Sequence, residues 1–146
     1  MPEARPRVIL AFDFGLKRIG IASGETLAGT SAPRGTLAMT AAGPDWPAVD
    51  RAVRDYAPDL LLVGAPYNDD GSPARIAAPA TAFAASLARR YGLPVERIDE
   101  RYSSTAAQSL LREQRASGQR RRRVHKGDID SAAAAVMLAS WLEQQP

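Results

Sequence analysis

Three acidic residues occupy positions that are awkward for a carboxylate with a purely structural role. Asp13 lies between Phe12 and Phe14, at the end of VILAFDF, the most apolar run near the N-terminus. An ionised carboxylate in such surroundings is costly unless it is paired, hydrogen-bonded or bound to a metal. Glu100 falls near the end of LPVERIDER, where side chains alternate, so that it shares a face with Ile98 while Asp99 takes the other. Asp130 stands in line with Ala133, Ala134, Met137 and Trp141, the apolar stripe of a helix. Carboxylates gathered at one end of a sheet repel one another, and a divalent cation is the usual remedy. Each acid also has a structural reading. Asp13 can pair with Lys17 or Arg18, and Glu100 with Arg97 or Arg101. Asp130 can favour the helix dipole while Asp128 serves as the N-cap. The joint placement of the three, rather than any one of them, points to metal chemistry.

The rest of the composition narrows the options. There is no cysteine, which removes disulfides and thiolate-held zinc or iron–sulfur centres. The single histidine, His125, excludes a multi-histidine metal site; in a basic loop it is either solvated or placed to transfer a proton. Neither GxGxxG nor GxxxxGK[ST] occurs, so the dinucleotide and P-loop fingerprints are missing. The net charge of +3 is unevenly spread. The tract RRRRVHK, residues 120–126, carries five of the 19 basic residues and no acid, so elsewhere 14 basic residues face 16 acids. A concentrated patch of this kind suits a polyanion, whereas a solvated loop is the structural alternative.

These residues need elements to position them. Residues 7–14 read as a central strand covered on both faces, and RIGIAS (Arg18–Ser23) as an antiparallel partner reached through Gly15-Leu16-Lys17. Gly15 and Gly20 allow a sharp turn or a close approach of substrate. A third strand is expected near Gly35–Met39, and a helix over Trp46–Tyr56 with Pro47 at a tolerated early position. PDLLLVGAP, 58–66, gives a further apolar strand, followed by the loop YNDDGS and a helix over about 73–91. LPVERIDER gives the last strand. A helix with the capping box Thr105-Ala-Ala-Gln108 runs to about Ser117, the basic loop spans 118–127, and a final helix covers about 128–144. This order predicts a mixed α/β sheet in one domain, 1–146. With no signal peptide and no run of membrane-spanning length, a cytoplasmic protein with no membrane association is expected.

Four motifs in order, DFGLKRIGIA (13–22), VGAPYNDDGS (63–72), DERYSSTAA (99–107) and HKGDIDSAAAAVML (125–138), resemble the YqgF/RuvX family. Its members are small bacterial proteins related to RuvC-type Holliday junction resolvases and assigned to processing of the small-subunit ribosomal RNA precursor. The resemblance spans Val8 to Trp141. It implies a ribonuclease H-like fold, with a five-stranded sheet in the order 3-2-1-4-5 and strand 2 antiparallel to the others. It places Asp13, Glu100 and Asp130 at the acidic catalytic positions. Departures are mild: Ala65 and Tyr67 stand where Leu is commoner, YSS replaces LTT, and the arginine tract is longer and more basic than the pattern.

The expected activity is that of a metal-dependent nuclease acting on rRNA precursor or branched DNA, as a monomer or weak homodimer. Two Mg²⁺ or Mn²⁺ ions would be held by Asp13, Glu100 and Asp130. Lys17, Arg18, Arg120, Arg121, Arg122, Arg123 and Lys126 would bind phosphates without reading sequence. Gly15, Asn68, His125 and Asp128 are auxiliary candidates; for Asn68 the alternatives are a border of the groove and a tight surface turn. Two rival classes remain at this stage. One is a nucleic-acid-binding module of the same fold without catalysis; the other is a nucleotide-binding hairpin like that of actin-like kinases, which needs a second lobe.

Overall fold

The computed structural model describes residues 7–65, 77–99 and 126–145. Six strands, β1 (Val8–Phe14), β2 (Arg18–Glu25), β3 (Thr30–Thr40), β4 (Gly43–Pro44), β5 (Leu60–Ala65) and β6 (Val95–Asp99), form a sheet in the order β4-β3-β2-β1-β5-β6. Three described helices accompany them: α1 (Trp46–Tyr56), α2 (Ala77–Tyr91) and α3 (Lys126–Glu143). β2 runs antiparallel to β1 and β3, while β5 is parallel to both β1 and β6. The expected ribonuclease H-like order and the antiparallel second strand are therefore present. The strand count is corrected from five to six, because the two-residue β4 pairs with the end of β3. No helix among the described residues is long and apolar enough to cross a membrane.

Alternation along β1 divides the interior into two layers. Leu10, Phe12 and Phe14 enter a cluster with Val49 of α1 and Phe83 and Leu87 of α2. Ile9 and Ala11 enter the other, with Ala134, Met137, Leu138 and Trp141 of α3. Residues such as Leu10 and Phe12 are fully buried, each stabilising the fold by roughly 1.5–3 kcal/mol. The first layer is filled by aromatic volume: the Phe83 ring meets Phe12 edge-on at 5.4 Å and Phe14 at 5.2 Å. α1 is capped by Asp45, whose carboxylate accepts from the Ala48 amide at 3.2 Å, and it ends at Ala57 in the left-handed conformation ahead of Pro58.

The second layer is thin. β2 presents Gly20, Ala22 and Gly24 to α3, which answers with the buried run Ala132–Ala135. A β-carbon on Gly20 would overlap the main-chain carbonyl of Asp130, and one on Gly24 would come within 3.1 Å of Leu138 Cδ2. The helix thus rests almost directly on the strand backbone.

Several sequence expectations shift here. β3 starts at Thr30 rather than near Gly35, because a bulge lets the strand accommodate Pro33 and Gly35 (φ 97°). α3 starts at Lys126, so Lys126 and Gly127 belong to a helix and not to the basic loop, and Asp128 lies in the first turn and is not the N-cap. The helix expected over residues 105–117, the loop with Asn68, and Glu100, Arg120–Arg123 and His125 lie outside the described residues.

Candidate active site

The sheet carries Asp13 to the C-terminal end of β1, on the face covered by α3. Its cross-strand partner on β2 is Gly20, and its neighbour on β5 is Gly64. Glycine on both sides leaves the half-buried Asp13 side chain with no bulky neighbour directly across either strand. Gly20 has the second role described above, since its missing side chain is what lets α3 lay Asp130 against β2. Gly20 therefore borders both acids, as the cross-strand partner of Asp13 and as the seat of the Asp130 main chain. The sequence left a sharp turn or a close approach of substrate open at Gly20; the close approach found there is that of the helix backbone. Gly15 serves the β1–β2 connection, where a β-carbon would press on the Arg18 carbonyl oxygen.

Ser131 fixes the helix in this position, and sequence reasoning missed it. The bulge places Arg34 and Gly35 opposite Ile21, interrupting the β2–β3 ladder between Gly20 and Ala22. The buried Ser131 hydroxyl fills that interruption. It accepts from the Gly35 amide at 2.8 Å and donates to the Ile21 carbonyl at 3.2 Å. One side chain thereby hydrogen-bonds two backbone groups at the interruption. Ser31 adds a second tie, donating to the Ala135 carbonyl at 2.7 Å. The available signal was a polar residue at the head of the alanine run, directly after Asp130.

Arg18 Nε lies 2.5 Å from Asp130 Oδ2, with both side chains about one-third exposed (35% and 30%). From the sequence, Arg18 was a candidate partner of Asp13 and a phosphate-binding residue, and Asp130 had only the helix dipole as its structural alternative. The structure pairs Arg18 with Asp130 across 112 residues of chain. Lys17 is exposed beside it. On the other flank, the register runs Asp13, Gly64, Ile98 across β1, β5 and β6, and Ile98 packs into the α3-side cluster. Glu100, expected from the sequence to share a face with Ile98, lies outside the described residues. Among the described residues no three acidic or histidine side chains converge.

A second charged cluster lies elsewhere and joins α1 to α2. Arg90 donates from Nε and from an Nη to the two oxygens of Asp50 at 2.9 Å each, and the Tyr91 hydroxyl donates to Asp50 Oδ1 at 2.5 Å. The Arg90 and Tyr91 hydrogen bonds hold the Asp50 carboxyl down at about 2. Burial, and then the Asp50 carboxylate, push the Tyr91 phenol up. Arg90 also lies 4.9 Å above the Trp46 ring.

Comparison with known proteins adds to this geometry. Residues 7–144 match the model of the RuvX family, described as Holliday junction resolvase. A protein of Edwardsiella ictaluri, whose name marks it as a candidate pre-16S rRNA nuclease, is 39% identical over 140 residues, covering 96% of this chain and 97% of its own. One of the same name from Escherichia coli O157:H7 is 40% identical over 136 residues, covering 93% and 96%. Among solved structures, the fowlpox virus Holliday junction resolvase superposes with a TM-score of 0.56 at 14% identity, covering 93% of this chain and 97% of that one. The yeast mitochondrial Holliday junction resolvase gives 0.52 at 11% identity, covering 92% and 77%. At these identities the superpositions speak for the shared fold alone.

Proposed function

The chain belongs to the RuvX family, and from that footing we propose that it is a metal-dependent nuclease that processes the 5′ end of pre-16S rRNA, cleaves Holliday junctions, or does both. One observation supports this reading: Gly20, beside the C-terminal end of β1, is the strand partner of Asp13 and the seat of the Asp130 main chain, two acids distant in sequence.

Asp13, Asp130 and Glu100 are the residues that would hold the metal. Carboxylate oxygens are the donor set of Mg²⁺ and Mn²⁺ rather than of thiophilic metals, and the charge surplus that such a site creates is met here by Arg18 on Asp130. When bound, divalent ions supply activation of a water and stabilisation of the leaving 3′-oxygen. The chain's own residues do the rest. Asp13 is held rigidly by the central strand, Asp130 is positioned by Ser131, and Lys17 with Arg18 present positive charge to the phosphate beside the scissile bond. The tract Arg120–Arg123 and Lys126 adds phosphate contacts that carry no sequence information. His125, Asn68 and Asp128 are auxiliary to this scheme. In this reading the protein acts in the cytoplasm as one domain, as a monomer or weak homodimer.

The test is cleavage by the purified protein, with Mg²⁺ or Mn²⁺, of a pre-16S 5′-leader transcript and of a four-way DNA junction. Metal-dependent cutting of either is the expected result and assigns the substrate. Tight binding without cleavage of either would leave a binding module in place of an enzyme.

A further inference from the structure

On the other side of the β1–β2 connection from Asp13 lies a slot of about 310 Å³, walled chiefly by Phe14, Leu16, Met39, Pro44, Trp46 and Phe83. Its position follows from the topology. Leu16 belongs to the turn that follows Asp13, and the Met39 amide donates to the Lys17 carbonyl at 3.3 Å, tying the end of β3 to that turn. The slot thus sits at the carboxyl end of β1, where open α/β sheets bind ligands. Leu16 is 48% exposed, one of only two large apolar side chains so exposed among the described residues. At this volume the slot falls at the low end of ligand-sized cavities, about 300–1,000 Å³, which suits one or two rings rather than a helix or strand.

The surroundings select the ring. A second hollow of about 330 Å³ shares Trp46 and Ser86 with the slot and is rimmed by Arg89 and Arg90. Arg90 is matched by Asp50, but the described hydrogen bond of Arg89 is to a neutral hydroxyl, Ser86 Oγ at 3.3 Å. Lys17, the residue after Leu16, is exposed. No acidic side chain lines either hollow among the described residues. An apolar slot that adjoins a cationic hollow and has an exposed lysine next in the chain to its Leu16 fits a flat, uncharged ring attached to phosphates, and fits an apolar peptide poorly.

We propose that the slot receives an unpaired nucleobase of the substrate strand, with Lys17 and Arg89 taking the flanking phosphates. A strand so held passes over the Gly15–Lys17 turn and reaches Asp13 on the other side, so the slot sets which phosphodiester is presented for cutting. This inference rests on the nuclease reading above and extends it to substrate choice: a strand with an unpaired nucleotide near the cut is preferred over continuous duplex.

The experiment is an abasic scan without catalysis. An RNA hairpin with a short single-stranded tail is titrated with the full chain in EDTA, each tail nucleotide being made abasic in turn. One position should lose about 5- to 150-fold in affinity, the range for one stacked base. In Leu16→Gln, which is neutral and replaces a half-exposed side chain, the same abasic change should cost no more than about twofold, because base and slot are then already uncoupled. A wild-type protein indifferent to every abasic position overturns the proposal, and so does a penalty that persists undiminished in Leu16→Gln. Cleavage of the intact hairpin with Mn²⁺ separates the two claims. If cutting persists while the scan is flat, only the slot is lost; if the protein neither binds nor cuts, the nuclease reading falls with it.

Discussion

The two faces of the sheet are held by opposite means. On the face toward α1 and α2, large side chains fill volume: Phe12, Phe14, Phe83 and Leu87 interlock, and an Asp50–Arg90–Tyr91 cluster latches the two helices at the surface. On the face toward α3, side chains are removed so that backbones can approach: Gly20, Ala22 and Gly24 meet an alanine run, and a serine hydroxyl bridges the interrupted ladder. The first arrangement supplies stability and tolerates adjustment, because a core can repack around a change of volume. The second supplies position. It seats the Asp130 main chain on Gly20, the strand partner of Asp13, and it has no slack.

That contrast can be broken most forcefully by a pair of substitutions. Leu87→Ala, in the volume-filled layer, should cost about 2–5 kcal/mol in denaturant unfolding and leave cleavage per folded molecule unchanged. Gly20→Ala, whose β-carbon would overlap the Asp130 main-chain carbonyl, should cost at least as much stability, about 3 kcal/mol or more as overpacking against backbone, and also lower cleavage per folded molecule by about 100-fold, as expected when a catalytic group moves by an ångström. If both variants lose activity only in proportion to their unfolded fraction, the faces do not differ in kind.

A smaller change sharpens the same point. Ser131→Ala keeps the volume nearly constant but strands the Ile21 carbonyl and the Gly35 amide, a cost of about 1–3 kcal/mol. Hydrogen exchange at the Gly35 amide should accelerate more than at Ala22, whose strand pairing with Pro33 lies beyond the bulge. Equal acceleration at both would mean that the serine supports the sheet generally rather than the bulge.

The smallest effect belongs to the latch. The Asp50 carboxyl is held at about 2 against its ordinary 3.8, so its contribution to stability is present above pH 4 and is lost as pH falls from about 4 toward 2. Asp50→Asn should flatten the acid limb of the stability curve in that window and leave neutral-pH cleavage untouched. The cluster is well exposed, so the change should be slight. An unaltered acid limb would remove the latch from the account.

The volume-filled face was the more legible from sequence. The central strand, the β1–β2 connection and α1 over Trp46–Tyr56 all follow from apolar periodicity and turn residues, and α1 was placed to the residue. Asp13 announced itself as a charge in an apolar run. The close-packed face was harder to read, for physical reasons. Small residues give weak periodic signals, so neither the approach of α3 to Gly20 nor the role of Ser131 could be foreseen. SAPRG reads as a turn because bulges use the same residues as turns, which hid the first half of β3. The pairing of Arg18 with Asp130 spans most of the chain and has no local signature.

In the proposed function Asp13 is kept for its charge toward a metal and not for the fold. Asp13→Asn preserves shape and removes the anionic ligand, so its metal-free unfolding and its Mn²⁺-supported cleavage together decide the matter. Under that role, metal-free stability close to wild type, since asparagine keeps the shape of Asp13 and an accepting oxygen, and cleavage reduced by at least about 10³-fold are the expected results. A variant destabilised by about 3–5 kcal/mol, the cost of breaking a buried ion pair, that still cleaves at the wild-type rate per folded molecule would contradict it.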